Sequence, residues 1–174
     1  MELAIGEYII RSWDKQDIAS LSRYANNYNV WINLRDGFPH PYTEEDARKW
    51  IRHSQRENPQ TNFAIATSHE AIGAIGLVLQ PDVHRISAEI GYWLGEPFWN
   101  LGIASAAVKA MTKFAFEQFD LVRLHAGVFE WNPASARVLE KAGYVYEGRL
   151  RKSVIKDGKI IDQLFYAHIR EDLR

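Results

Sequence analysis

The sequence predicts an α+β (mixed α/β) fold, with helices flanking one central and mostly antiparallel sheet. Two patterns carry this prediction. Short runs rich in Ile, Val, Phe and Ala are bounded by turn residues, which is typical of strands. Longer segments between them repeat their apolar residues at helical spacing. The length of 174 residues is close to that of one domain, so we expect a single domain over residues 1–174.

The predicted elements of the N-terminal third are one strand and two helices. The strand covers residues 8–13, and a helical region follows over 14–27, which Asp14 or Asp17 can cap. A loop rich in Gly and Pro then covers 35–42. The second helix begins after a threonine N-cap with an acidic residue three positions on, and it ends before an Asn-Pro pair. These boundary residues are Thr43, Asp46, Asn58 and Pro59.

The rest of the chain contains three predicted strands, a long helix, a strand, a short helix and a hairpin. Asn132 is the natural N-cap of the short helix, Pro133 is its first residue, and Gly143 ends it. Asp157-Gly158 is a strong hairpin signal. The predicted strands are 62–67, 71–80, 85–94, 123–129, 144–155 and 159–168, and the predicted helices are 102–119 and 133–142.

Composition excludes several classes of function. The chain contains no cysteine, which excludes disulfides, thiolate metal sites and cysteine nucleophiles. The net charge of -1 argues against binding to nucleic acid or to an anionic membrane. Residues 1–7 lack the pattern of a signal peptide, and no apolar run is long enough to span a bilayer, so we expect a cytoplasmic protein. Aromatic residues make up 13%, enough for some of them to line a groove.

Residues 89–104 pass from a predicted strand through a turn directly into the long helix. Gly102 and Ala104 are the small residues at the helix entrance. Because the first turn of a helix has free N–H groups and a positive dipole end, this entrance is a candidate phosphate cradle. Tight helix packing would explain the small residues equally well. The segment matches neither the Walker loop nor the Gly-x-Gly-x-x-Gly dinucleotide motif.

A second candidate segment follows the predicted strand 123–129. Asn132 and Ser135 are placed at the mouth of the short helix. Helix capping accounts for Asn132, but it does not account for Ser135 three residues further on.

Together the two segments resemble the GNAT superfamily of acyl-CoA-dependent N-acetyltransferases. The family pattern Q/R-x-x-G-x-G/A falls on residues 99–104, with Gly102 and Ala104 at its small positions. Trp99 replaces the leading Gln or Arg, and Asn100 stands where many members have glycine. A cradle that works through backbone N–H groups tolerates both departures.

The second family pattern, N-x-x-S-x-x-x-x-x-K-x-G-F/Y, also has its counterpart in this sequence. Its matching residues are Asn132, Ser135, Lys141, Gly143 and Tyr144. Residues 38–47, 89–94 and 156–159 are similar to the RimJ/RimL-like branch, which contains ribosomal-protein N-terminal acetyltransferases. The resemblance therefore covers nearly the whole chain.

The resemblance implies acetyl-CoA as cosubstrate and no metal. It implies a sheet that splays between the fourth and fifth predicted strands, which are 85–94 and 123–129. Gly91 would form the bulge, and the pantetheine arm would pair with the free strand edge. The pyrophosphate would lie on the N–H groups of residues 100–104. The implied acetyl-CoA residues are Trp93, Leu94, Trp99, Asn100, Leu101, Gly102, Ile103, Ala104, Asn132 and Ser135.

The chemistry is attack of a neutral amine on a thioester carbonyl, which needs a base for the amine and an acid for the departing thiolate. Many members use a tyrosine acid at the position of Leu139, so that group is missing here. The ribosomal-protein branch places a serine acid at the position of Ser135. Glu89 is the candidate base, acting directly or through water, although it could equally be an ordinary ion-paired carboxylate.

The expected acceptor is a primary amine. We favour a protein or peptide N-terminal α-amine, mainly from the resemblance, over a polyamine, an aminated antibiotic or another small amine. Two alternatives remain, a CoA-binding regulatory module without turnover and a plain structural domain, and a homodimer is one option for the assembly. The candidate acceptor-site residues are Trp31, Phe38, Tyr42, Glu89 and Trp131. Each of the four aromatic residues could instead serve only packing.

Overall fold

The computed structural model describes residues 1–170. Its strands are β1 (Glu2–Ile5), β2 (Tyr8–Arg11), β3 (Asn62–Ala66), β4 (Ala71–Leu79), β5 (Ser87–Leu94), β6 (Arg123–Phe129), β7 (Val145–Lys156) and β8 (Lys159–Ile169). Its helices are α1 (Ile18–Ala25), α2 (Tyr28–Trp31), α3 (Glu44–Arg56), α4 (Ile103–Gln118) and α5 (Pro133–Lys141). Short 3-10 turns cover Lys15–Asp17, Asp82–His84 and Glu96–Phe98.

The eight strands form one sheet in the order β1-β2-β3-β4-β5-β6-β8-β7. Strands β5 and β6 are parallel, and the remaining described ladders are antiparallel. The parallel pair needs a crossover connection, which α4 supplies. The predicted mixed α/β fold with a mostly antiparallel sheet is therefore confirmed.

The chain divides into two compact units. The N-terminal unit contains Met1–Gly76 and Tyr92–Ala107, and the C-terminal unit contains Leu77–Gly91 and the described part of Val108–Arg174. The expectation of one domain stays a prediction. No helix in the described part of the chain is long and apolar enough to cross a membrane.

The core of the N-terminal unit lies where α1 and α3 pack on strands β3 and β4. Gly73 allows a close approach within this unit, since a Cβ at that position would lie 2.3 Å from the Trp93 carbonyl oxygen. Any side chain at Gly73 would therefore push the two strands apart. The buried residues of this core are Trp13, Leu21, Ala25, Tyr42, Ala47, Ile51, Ala64, Ala71 and Ala74.

In the C-terminal unit, side chains of β6 alternate between buried and half-buried, as a sheet with one covered face requires. Met111 and Ala115 on α4 are fully buried. Thr112 and Tyr144 share a buried hydrogen bond between their hydroxyls at 2.8 Å, which satisfies both polar groups in the core.

Most predicted elements occur within two residues of their predicted ends, but the N-terminal region needs correction. The first predicted strand ends at Arg11, and the four-residue elements β1 and α2 were not predicted because they are too short to show a period. Asp14 does cap the predicted helical region, because it is the N-cap of the 3-10 turn Lys15–Asp17 that leads directly into α1, and the Asp17 side chain closes the capping box. Asp17 makes no side-chain capping bond to α1 itself.

Candidate active site

The segment that joins β5 to α4 leaves its backbone open to solvent. Asn100 and Gly102 both adopt the left-handed conformation, with φ of 63° and 80°, and Leu101 between them is 62% exposed. The first hydrogen bond of α4 runs from the N–H of Ala106 to the carbonyl of Gly102 at 3.1 Å. The preceding N–H groups are therefore outside the intrahelical ladder, as at any helix N-terminus.

Gly102 decides between the two explanations of the small residues at this entrance. A Cβ at Gly102 would meet nothing within 4 Å, so tight packing does not require a glycine here. Its backbone conformation does require one, because side chains are rarely accommodated at this φ. Left-handed residues at a helix entrance also occur in anion-binding nests, where successive backbone N–H groups face one anion. The segment therefore fits the pyrophosphate of acetyl-CoA.

Contacts within the N-terminal unit hold the preceding turn in place. The indole N–H of Trp99 donates to the carbonyl of Leu94 at 2.8 Å, so this N–H is used inside the protein. Phe98 packs edge-on against Tyr24, with ring centroids 5.3 Å apart. Glu96 accepts hydrogen bonds from the side-chain amides of two asparagines, Asn27 and Asn29.

Three of the aromatic residues singled out in the sequence come together in this unit. Phe38 lies between Tyr42 and Trp93, at centroid distances of 4.9 and 5.5 Å. Tyr42 is buried in the core, and burial raises the pKa of its hydroxyl. Trp31 lies in a separate group, where its ring stacks on His40 at 5.2 Å. The assignment of Trp31, Phe38 and Tyr42 to the acceptor site stays a prediction.

In the C-terminal unit, the turn from β6 into α5 fixes Ser135. The Asn132 side-chain oxygen accepts the N–H of Ser135 at 3.2 Å, and the Asn132 N–H donates to the carbonyl of Phe129 at 2.8 Å. Asn132 is therefore the N-cap of α5, as predicted. Ser135 lies on the first helical turn and is half-buried.

Trp131 and Glu89 belong to the same unit. The Trp131 ring packs edge-on against Phe129 at 6.1 Å, and its buried N–H has no hydrogen-bond partner among residues 1–170. Glu89 is the last residue of the β5–β6 ladder, where it pairs with His125. His125 stacks on Phe165, which agrees with a packing role.

The sequence does not predict two polar networks that the structure contains. Asn27 and Glu96 are 69 positions apart, so no local pattern joins them. The other network holds a bulge on β7 through Glu130 and Asp162. A cluster of cations at residues 149–152 was the visible signal for it. Within residues 1–170, no group of His, Asp or Glu side chains could hold a metal ion.

The fold is that of an acetyltransferase of the GNAT type. The family model for the acetyltransferase (GNAT) domain matches residues 8–145, so the chain belongs to this family. It is an N-acetyltransferase that uses acetyl-CoA.

Similar proteins agree with this assignment. The chain is 35% identical to the Bacillus subtilis protein named "Probable N-acetyltransferase YjcK" over 136 residues, 75% of each chain. It is 29% identical to the ribosomal-protein-serine acetyltransferase of Escherichia coli over 144 residues, 80% of each. The structure of Mycobacterium smegmatis RimJ in complex with CoA-disulfide is similar, with a TM-score of 0.84 and 25% identity. That similarity covers 97% of this chain and 85% of RimJ.

Proposed function

We propose that this enzyme acetylates the N-terminal α-amine of a protein or peptide by direct attack in a ternary complex. The observation that carries the proposal is Ser135 on the first turn of α5, with its backbone fixed by Asn132. This is the serine of the ribosomal-protein branch, and the position of the alternative tyrosine acid is the fully buried Leu139. The similarity to the Escherichia coli ribosomal-protein-serine acetyltransferase supports the same acceptor class.

Acetyl-CoA, when bound, supplies the acetyl group as a reactive thioester. The N–H groups of residues 100–104 would hold its pyrophosphate, because they lie at the N-terminus of α4 ahead of its first intrahelical hydrogen bond, and residues 100–102 are exposed. Residues Trp93 and Leu94 would pair their backbone with the pantetheine amides. Asn132 would contribute its side-chain NH₂, since its oxygen is already used to cap α5.

Two side chains would move the protons. Glu89 would accept the proton that the acceptor amine loses as its nitrogen bonds to the acetyl carbon, directly or through a water molecule. The Ser135 hydroxyl would donate its proton to the sulfur as the carbon–sulfur bond breaks. The positive end of the α5 dipole also stabilises negative charge at this position. Because the thioester is reactive, correct positioning supplies much of the remaining rate.

The structure argues against a polyamine acceptor at the acidic start of α3. A polyamine site needs unsatisfied carboxylates, and all three of these are engaged. Glu44 pairs with Arg48, Glu45 lies within 4 Å of two cations, and Asp46 closes the capping box with Thr43. These helix-stabilising partners support the proposed α-amine acceptor over a polyamine at this place.

A comparison of acceptors tests the proposal. Acetyl-CoA turnover would be measured with ribosomal-protein N-terminal peptides, the same peptides with blocked α-amines, polyamines and aminoglycosides. We expect turnover only with the free α-amine peptides. Turnover of a small amine without turnover of any peptide would overturn the proposed acceptor, and equal turnover of the blocked peptides would move the reaction to lysine side chains.

A further inference from the structure

The edge strand β7 contains a wide bulge in the C-terminal unit. Leu150 pairs with Gln163 on β8, and the next pair joins Val154 to Ile161. Residues 151–153 therefore face Asp162 alone. Lys152, at the centre of the bulge, has a left-handed backbone with φ of 52°. We call residues 151–153 the cationic bulge, because its first two residues are Arg151 and Lys152.

Asp162 holds the cationic bulge in this shape. One carboxylate oxygen of Asp162 accepts the backbone N–H of Lys152 at 2.8 Å, and the other accepts a hydrogen bond from Arg149 at 2.9 Å. These two interactions keep the pKa of the Asp162 carboxyl below its ordinary value. A side chain in the left-handed region costs about 1 kcal/mol, so the bulge persists only because its surroundings impose it.

The same network fastens the bulge to the turn that carries Asn132 and Ser135. The N–H of Asp162 donates to the Glu130 carboxylate at 2.9 Å, and the N–H of Glu130 donates to the carbonyl of Asp162 at 3.1 Å. Arg149 also bonds the Glu130 carboxylate, at 3.1 Å. Glu130 precedes Asn132 by two residues. The cationic bulge is therefore built onto the border of the proposed catalytic turn.

The charges in this network are divided unequally. Glu130 and Asp162 each form an ion pair with Arg149, and each also accepts a backbone N–H. Arg151 and Lys152 are both exposed to solvent. A chain with a net charge of -1 thus places two exposed cations on a bulge that is hydrogen-bonded to Glu130, five residues before the proposed reacting serine.

We propose that the cationic bulge binds carboxylates of an acidic polypeptide acceptor, just downstream of its reacting α-amine. This inference rests on the proposed function and specifies the acceptor further. Exposed apolar side chains flank the two cations, with Leu150 at 45% and Ile155 at 67% exposure. A peptide supplies apolar side chains beside its carboxylates, whereas an RNA backbone offers only phosphate there. A surface with two cations is also too small for the extended basic tract that nucleic-acid binding needs.

The test uses three fluorescent peptides that share their first two residues and differ in the next four, which are all Glu, all Gln or all Lys. Affinity is measured by anisotropy and kcat/KM by acetyl-CoA turnover, at low and high salt. For the native enzyme we expect the Glu peptide to exceed the Gln peptide by about tenfold in both quantities, because two ion pairs form. The preference should shrink at high salt.

The double variant Arg151→Glu, Lys152→Glu should reverse the order and favour the Lys peptide. The matched control, Lys15→Glu with Arg56→Glu, makes the same change in net charge at exposed positions of the N-terminal unit and should keep the native order. If the native enzyme has the same kcat/KM and the same affinity for all three peptides, the inference is overturned and the proposed function stays intact. A reversal in the control would overturn it as well.

Other outcomes separate this inference from the proposed function. The Glu peptide could bind tightly through the bulge and yet not be acetylated. That result would support the binding role of the cationic bulge and overturn the proposed acceptor. The native enzyme could prefer an RNA oligonucleotide to the Glu peptide and lose this preference in the double variant. That result would show that the bulge binds phosphate backbones and would overturn the inference.

Discussion

The side-chain amide of Asn27 joins two elements of the N-terminal unit. Its nitrogen donates to the Glu96 carboxylate at 2.6 Å, while its oxygen accepts the N–H groups of Asn29 and Val30 and so caps α2. Glu96 begins the 3-10 turn that precedes the proposed pyrophosphate loop. One residue therefore positions α2 and the approach to that loop.

This relationship predicts different effects for its two partners. Glu96→Gln removes the negative charge and replaces one of the two acceptor oxygens by an NH₂ donor, so it weakens the hydrogen bonds from both asparagines and leaves the α2 cap intact. We expect a loss in the free energy of unfolding below about 1 kcal/mol, because the pair is exposed, and a several-fold rise in KM for acetyl-CoA. Asn27→Ala also removes the cap and should cost about 1 kcal/mol more. Urea unfolding measures the free energy of unfolding, and steady-state kinetics measure the KM for acetyl-CoA. Glu117→Gln on the exposed surface of α4 is the control. An unchanged KM in Glu96→Gln would contradict the positioning role.

Gly102→Ala is expected to weaken acetyl-CoA binding at least about tenfold, because a side chain strains the left-handed backbone and covers the N–H groups. The fold should tolerate it, since the new Cβ meets no atom within 4 Å. Gly6→Ala is the matched control, with a φ of 72° and equally open surroundings. Calorimetric titration with acetyl-CoA checks this. Similar affinities for the two variants would contradict a phosphate role for the loop.

Ser135→Ala is expected to lower kcat about 100-fold, the range of general acid catalysis, without changing the affinity for acetyl-CoA. The helix cap survives this substitution, because Asn132 accepts from the backbone N–H of Ser135. Ser22→Ala, which removes another helical hydroxyl, should leave kcat unchanged. Single-turnover kinetics and a binding titration make the measurement. A kcat for Ser135→Ala within twofold of the native value would exclude Ser135 as the acid.

The Asp17 carboxyl is expected to make a pH-dependent contribution to the free energy of unfolding. Burial raises the pKa of its carboxyl, but the two hydrogen bonds from Arg11, at 2.8 Å each, and the backbone N–H groups of Asp14 and Ala71 outweigh it and leave the pKa lowered. Stability from this group is therefore complete above the ordinary value of 3.8 and is lost as the pH falls through the lower folded value.

Asp17→Asn should consequently cost about 3 kcal/mol at pH 7, because it leaves a partly buried Arg11 without its countercharge. The difference from the native protein should narrow below pH 4. Urea unfolding at pH 7, 4.5 and 3.5 measures this, with Asp36→Asn as an exposed control. A constant difference across that range would contradict the assignment.

The sequence by itself determined the elements whose signals lie within one or two turns. Thr43 with Asp46 and Asn132 with the N–H of Ser135 form the caps that their spacing predicts. The positions of most strands and of α4 followed from residue type and period. These interactions join near neighbours in the chain, so the local sequence specifies them whatever the rest of the protein does.

Only the tertiary structure decided which long-range partners meet. The Asp17 carboxylate closes the local capping box through the N–H of Asp14, and it also binds Arg11 and the N–H of Ala71, 54 positions away. The pairing of Asn27 with Glu96 and of Lys152 with Asp162 likewise depends on how distant segments are brought together. A side chain with several possible partners takes those that folding places within hydrogen-bond reach, and one-dimensional spacing does not contain that information.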